Sequence, residues 1–140
     1  MKFILAAVAA FLISFALGFI VHGMILRPDY LENAFMYRGD GEAMAYLPYL
    51  LLSYAVKAFA FAWVYRQGIT AGVPWLTQGI RFGIIATLLI SIPMCLMHFA
   101  TQPLPATLVV KQMVFETIGT LAMAIAVAYI LKLTPHAEAI

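Results

Sequence analysis

Charged side chains are scarce in this sequence, and their scarcity excludes a water-soluble domain. Only 8 of the 140 residues are Lys or Arg and 6 are Asp or Glu, whereas 65% are hydrophobic and the mean hydropathy is +0.99. A soluble domain of this size buries only part of its surface, so its interior could not hold so many apolar side chains. The composition therefore predicts an integral membrane protein with one transmembrane domain over residues 1–140.

Cysteine and the short motifs of common enzymes are also scarce or missing. The single cysteine, Cys95, excludes an internal disulfide and a zinc site built on several cysteines. The net charge of +2 comes from scattered basic residues, which argues against nucleic acid as a partner. No phosphate-binding loop, zinc-protease helix, nucleophile elbow or dinucleotide fingerprint occurs. The sequence therefore favours a protein that is not an enzyme, and it predicts no catalytic residue.

Four long apolar runs are present instead, and each has the length that crosses a bilayer. About 20 helical residues span the ~30 Å hydrocarbon core. A secretory signal peptide cleaved near Ser14–Ala16 is a competing interpretation of the first run, but that run continues to Leu26, beyond the usual length of such a signal. The sequence therefore predicts an all-α, four-helix membrane bundle with transmembrane helices over residues 3–26, 46–65, 82–100 and 107–131.

The connections between these runs predict how the helices are arranged. The longest connection, residues 27–45, is predicted to hold a short interfacial helix that Asp29 caps and the glycines near Asp40 end. The turn at residues 102–105 is so short that the helices on either side must be antiparallel neighbours. The pattern predicts an up-down-up-down bundle followed by a short tail from Lys132.

Basic residues are distributed unevenly between the two predicted ends of the bundle. One end is rich in basic residues, and the connection at residues 27–45 at the other end is rich in acidic ones. The basic residues of the first end are Lys2, Arg66, Arg81 and Lys132. Because basic residues favour the cytoplasmic side, we expect a multi-pass protein of the cell membrane with both termini in the cytoplasm.

Two residues of opposite charge lie deep inside the apolar runs. Glu116 lies about nine residues inside the fourth run and Lys57 about eleven residues inside the second, so both are near mid-bilayer. An unpaired charge there costs ~2.5–3.5 kcal/mol or more. We therefore predict an intramembrane Lys57–Glu116 pair, which either fixes the register of the helices or serves as a proton-relay or substrate site. Lys111, one turn inside the fourth run, is predicted to extend to the lipid headgroups.

Two histidines form a second candidate site near the end of the bundle that carries residues 27–45. His22 lies close to the end of the first run and His98 close to the end of the third. Two histidines on separate helices can ligate a haem iron, and imidazole together with nearby thioethers suits copper. The ordinary alternative is that each imidazole bonds a backbone carbonyl, Tyr30 or Asp29.

The segment Gly18–Tyr30, GFIVHGMILRPDY, resembles part of a group of small four-helix bacterial inner-membrane proteins of uncharacterised function. Their first helix ends in a glycine and a histidine or aromatic residue, followed by a basic residue and a tyrosine. The likeness continues through Arg81–Gly83 and the Gln102–Pro103 turn before the fourth helix. The resemblance implies a four-helix protein of the bacterial inner membrane, and it brings no activity, cofactor or site residue.

These features leave three functional hypotheses of different classes. The first is a non-enzymatic accessory or structural bundle that associates with the lipid bilayer and with itself or other membrane proteins. The second is a redox protein that binds haem or copper through His22 and His98. The third is a small dimeric transporter with Glu116 as its coupling carboxylate, since four helices are few for a transport pathway within one copy.

Overall fold

Helices form nearly all of the structure. The computed structural model describes residues 1–132, so the predicted tail beyond Lys132 lies outside the described residues. Within residues 1–132 there is no β-strand, which confirms the all-α class. The α-helices are α1 (Lys2–Ile20), α2 (Arg27–Glu32), α3 (Asp40–Ala45), α4 (Leu47–Gln67), α5 (Trp75–Ala86), α6 (Ile92–Thr101) and α7 (Ala106–Leu131).

Two π-helical turns interrupt the α-helical pattern inside the apolar segments. The turn Val21–Ile25 continues α1, and the turn Thr87–Ser91 joins α5 to α6. Pro93 lies in the first turn of α6, directly after the second of these π-helical turns. Between α2 and α3 lies the short 3₁₀ helix Ala34–Met36.

Four helical segments are long and apolar enough to cross a membrane, as the sequence predicts. They are the first span (Lys2–Ile25), the second (Leu47–Gln67), the third (Trp75–Thr101) and the fourth (Ala106–Leu131). The third span starts at Trp75 rather than at residue 82. The polar residues at its start are part of the helix because Gln78 bonds the preceding loop at Thr70 and Val73.

The first and third spans both pack against the fourth span. At Gly79 and Gly83 of α5, the backbone lies so close to α7 that an added Cβ would approach the Ala128 Cβ to 2.8 Å and the Ala124 Cβ to 3.0 Å. Such close approach of small residues is the usual way in which membrane helices pack. The first span lies between the second and the fourth. Where it meets the second span, the centroids of the Phe3 and Phe59 rings are 5.1 Å apart.

The second and third spans meet at the end of the bundle that carries Met1, hereafter the Met1 end. There the Phe82 ring lies 4.6 Å from Phe61 and 5.3 Å from Tyr65. The opposite end, which carries α2, is hereafter the α2 end. Aromatic packing thus joins the spans at the Met1 end, and the functional side chains described below lie closer to the α2 end.

The interior consists of two apolar clusters with a polar layer between them. The cluster at the Met1 end is rich in alanine, and its members include Ala6, Ala10, Ala58, Ala62, Ala124 and Ala128. The cluster at the α2 end consists of Val21, Leu26, Cys95, Leu104, Leu108 and Val109. The buried polar side chains of the described residues are Ser14, Thr87, Ser91 and Thr120. Polar chemistry is therefore concentrated at one level of the bundle.

The outer surface of the spans is apolar. Leu89 is 72% exposed, Phe19 62% and Val56 61%, and buried residues make up no more than 33% of the most apolar window in any span. Soluble monomers rarely expose apolar surface so continuously. The surface supports a multi-pass membrane protein.

Candidate functional site

Glu116 of α7 is the point where three helices bring ionisable side chains together. Its Oε1 atom lies 3.2 Å from Nε2 of His22, and its Oε2 atom lies 3.9 Å from Nζ of Lys57. The sequence-predicted partners Lys57 and Glu116 are thus brought within ion-pair distance. The His22 contact, which is the shorter one, was not predicted. Each of the three side chains is 34% exposed, so none is sealed inside the bundle.

A chain of hydrogen bonds extends from Glu116 towards the α2 end. Nδ1 of His22 lies 2.6 Å from the Tyr30 hydroxyl, and Nε2 of Gln112 donates to the same hydroxyl over 3.2 Å. One arrangement of protons satisfies every group: Tyr30 donates to His22 Nδ1, and His22 Nε2–H donates to Glu116. In this arrangement the imidazole carries one proton, and its partner Tyr30 is one of those that the alternative to metal binding names for the histidines.

Tyr30 is suited to the donor role because it keeps its proton. Burial is the main cause that raises the pKa of Tyr30, from 10.0 to about 12. The hydroxyl therefore remains protonated throughout the physiological range. It can donate to His22 whenever the imidazole is neutral.

An ion pair fixes α2 to the start of the fourth span. Nζ of Lys111 lies 2.7 Å and 2.9 Å from the two carboxylate oxygens of Asp29. The predicted roles of both residues are therefore corrected, because Asp29 makes no helix cap and Lys111 is held by a carboxylate of the protein. Glu116 lies ten residues from the start of α7, whereas His22 lies three residues before the end of the first span, so their contact shows that α7 begins beyond the end of that span. This offset brings Glu116 to the level of His22.

A cavity of about 30 Å³ adjoins this cluster. That volume is sufficient for a water molecule in a polar site. A water molecule there is relevant to the Lys57–Glu116 contact. The 3.9 Å between Lys57 Nζ and Glu116 Oε2 exceeds hydrogen-bond length, and contacts of that kind are commonly bridged by water. The cavity is lined by the ionisable cluster together with Ser14, Leu17, Gly18, Val21, Tyr54, Phe115, Gly119, Thr120 and Met123.

Gly18 and Tyr54 shape the wall of the cavity. The Tyr54 hydroxyl lies against the backbone of Gly18, where an added Cβ would overlap it. The Tyr54 ring also packs edge-on against Phe15, with the ring centroids 5.9 Å apart. The glycine is needed here for close approach, which allows the second span to carry Tyr54 and Lys57 up to the first.

His98 does not join this cluster. Its side chain is exposed on α6 and is not part of the cavity lining, whereas both ring nitrogens of His22 already have protein partners. Within residues 1–132, no group of three or more His, Cys, Asp or Glu side chains is placed to hold a metal ion. Binding of haem or copper through His22 and His98 would need these side chains to rearrange, and it stays a prediction.

A visible absorption spectrum and metal analysis of the purified protein test that prediction. Haem would give a Soret band that changes on reduction with dithionite, and copper would be present in stoichiometric amount. Either signal should be lost in both His22→Ala and His98→Ala if the two residues are ligands. A colourless, metal-free preparation would contradict the redox hypothesis.

Comparison with known proteins identifies no relative from which the role of this site could be inferred. No protein-family model, curated protein or solved structure matches the chain. The function is therefore argued from the chemistry of the site.

Proposed function

We propose that the protein is an integral membrane transporter that binds and releases protons at Glu116. In this proposal the bundle is inserted up-down-up-down in the cell membrane with both termini in the cytoplasm. The distribution of basic residues supports that orientation. Tyr30 and His22 then lie between Glu116 and the extracytoplasmic surface, and protons reach the carboxylate from that side.

The observation that carries the proposal is the position of Glu116 between His22 and Lys57 at a cavity large enough for water. With Glu116 ionised, Lys57 charged and His22 neutral, the three side chains have no net charge. A proton added to His22 lies beside the carboxylate, whereas a proton added to Glu116 leaves Lys57 without its counter-charge. Ionisable residues inside membrane spans commonly mark proton pathways.

Protonation would change the contacts between the helices. A protonated Glu116 no longer attracts Lys57 as an ion, so the link between the second and fourth spans weakens. Between these spans the described contacts are few. We propose that this weaker contact couples proton binding to movement of the second span relative to the fourth. Because four helices are few for a complete pathway, the proposed unit is a dimer.

Glu116→Gln is expected to reduce proton movement to the rate of protein-free vesicles. The amide keeps the shape of the side chain but cannot bind and release a proton at neutral pH. The measurement is the decay of a pH gradient across reconstituted vesicles, followed with a trapped pH-sensitive dye. Glu32→Gln is the matched control, because Glu32 is exposed on α2 outside the spans, and it should transport like the wild type.

A second candidate function is an accessory or structural bundle, and one observation favours it. The Lys57–Glu116 contact neutralises two intramembrane charges, which alone would fix the register of two helices. The double variant Glu116→Gln/Lys57→Met separates the two functions, because it removes both charges together. If it restores stability without restoring proton movement, Glu116 acts in transport. If wild-type vesicles move no protons, the transport proposal is wrong.

A further inference from the structure

The hydroxyl of Thr87 has no hydrogen-bond partner among the described residues, although it is buried. Thr87 is 4% exposed, and its Oγ1 atom is enclosed. Native proteins rarely leave such a group unpaired, and an ordered internal water is a common partner. The unpaired hydroxyl is therefore an indication of a bound molecule.

Two other threonines of the spans make a side-chain hydrogen bond to their own helix that Thr87 lacks. The hydroxyls of Thr101 and Thr117 each donate to the carbonyl four residues earlier, over 2.8 Å and 2.7 Å. This bond is the usual one for threonine in a helix. Thr87 begins the π-helical turn Thr87–Ser91 and makes no such bond to Gly83. π-Helical turns are frequent at functional sites, and the unpaired hydroxyl lies at the first residue of this one.

The position of Thr87 connects it to the Glu116 cavity. One turn along the third span, the Ser91 hydroxyl lies 3.1 Å from that of Thr120. Thr120 lines the cavity that Glu116 adjoins. The three buried hydroxyls therefore lead from the cavity towards the Met1 end. Beyond Thr87, Gly79 and Gly83 pack too tightly against α7 for the polar line to continue.

We propose that Thr87 binds an internal water molecule, and that this water, with Ser91 and Thr120, forms the inner part of the proton route from Glu116. The water site follows from the unpaired hydroxyl alone, whereas its role in the route rests on the proposed function. Water is the fitting ligand because it both donates and accepts, so a proton received on one side is replaced by one released on the other. The route ends at the tight contact between α5 and α7, so protons leave it only when that contact opens.

The water site is tested directly by water-edited solid-state NMR on the full chain, labelled with ¹³C-threonine, in lipid. The exposed loop residue Thr70 gives the signal of a hydrated threonine, and Thr117, bonded to its own helix, gives that of a dry one. We expect magnetisation to pass from water to Thr87 clearly faster than to Thr117. A transfer to Thr87 as slow as that to Thr117 would overturn the proposal.

The route is tested by proton movement in vesicles with Thr87→Val and Thr87→Ser. Valine keeps the shape and loses the hydroxyl, so its rate should fall several-fold, whereas serine keeps the hydroxyl and should stay near the wild-type rate. Equal rates for Thr87→Val and the wild type would overturn the route. If Thr87 is hydrated but Glu116→Gln transports normally, the proposed function fails while the water site stands.

Discussion

Glu116→Gln is expected to lower the free energy of unfolding by about 2 kcal/mol, less than the ~3–5 kcal/mol for breaking a fully buried pair. The value is reduced because each side chain is 34% exposed. Lys57→Met should cost less, because His22 can take a proton and remain a partner for the carboxylate. Glu116 has two partners within ion-pair distance, whereas Lys57 has that contact alone among the described ion pairs. The measurement is equilibrium unfolding of the purified variants in the same lipid or detergent.

The double variant Glu116→Gln/Lys57→Met is the control for this prediction. Removing both charges leaves no unpaired charge inside the bundle. The double variant should therefore recover most of the stability lost in Glu116→Gln. Additive losses in the double variant would show that the two side chains do not interact. A larger loss for Lys57→Met than for Glu116→Gln would show that His22 does not compensate.

Gly79→Ala is expected to destabilise the protein by about 1–3 kcal/mol, because the added methyl overpacks the contact between α5 and α7. Its Cβ would lie 2.8 Å from the Ala128 Cβ, which is attached directly to the helix backbone and cannot move alone. Gly83→Ala should cost less. There Cδ2 of Leu121, at 2.9 Å, can move by a change of rotamer, and the fixed Ala124 Cβ lies at 3.0 Å, slightly farther than the Ala128 Cβ lies from the Gly79 position. Thermal unfolding in one detergent compares the two variants.

Gly39→Ala is the matched control for the glycine variants. No atom lies within 4 Å of the position its Cβ would take, and its φ of −62° suits alanine. Its stability should lie within about 1 kcal/mol of the wild type, because the only expected cost is that of alanine in place of glycine at the N-cap of α3. If Gly79→Ala is as stable as Gly39→Ala, then α5 and α7 do not make the close contact described here.

The common level of Lys57 and Glu116 along the bundle could be predicted because residue number measures height along a straight helix. The same reasoning placed His22 and Glu116 at different levels of the bundle, because it assumed that the fourth span begins at the level where the first span ends. The Asp29–Lys111 pair and the His22–Glu116 contact show instead that α7 begins beyond the end of the first span. That offset depends on a long-range ion pair between residues 82 positions apart, which local sequence patterns do not indicate.

The start of the third span and the Thr87 site could not be predicted from the sequence, for different physical reasons. Polar residues near Trp75 resemble a loop in hydropathy, although they form a helix whose glycines pack on α7. Thr87 itself belongs to a regular stripe of small and polar residues, which indicates only a packing seam. Its lack of a partner depends on the packing around its side chain, which a residue pattern does not indicate.

The central place of α7 has a consequence for the order of events during synthesis. Chains are made from the N-terminus, and early segments begin to fold before later ones exist. His22 and Lys57 are therefore made before their carboxylate, and the third span is made before the helix on which its glycines pack. Final assembly must wait for the last span, which brings the missing charge and the packing surface together.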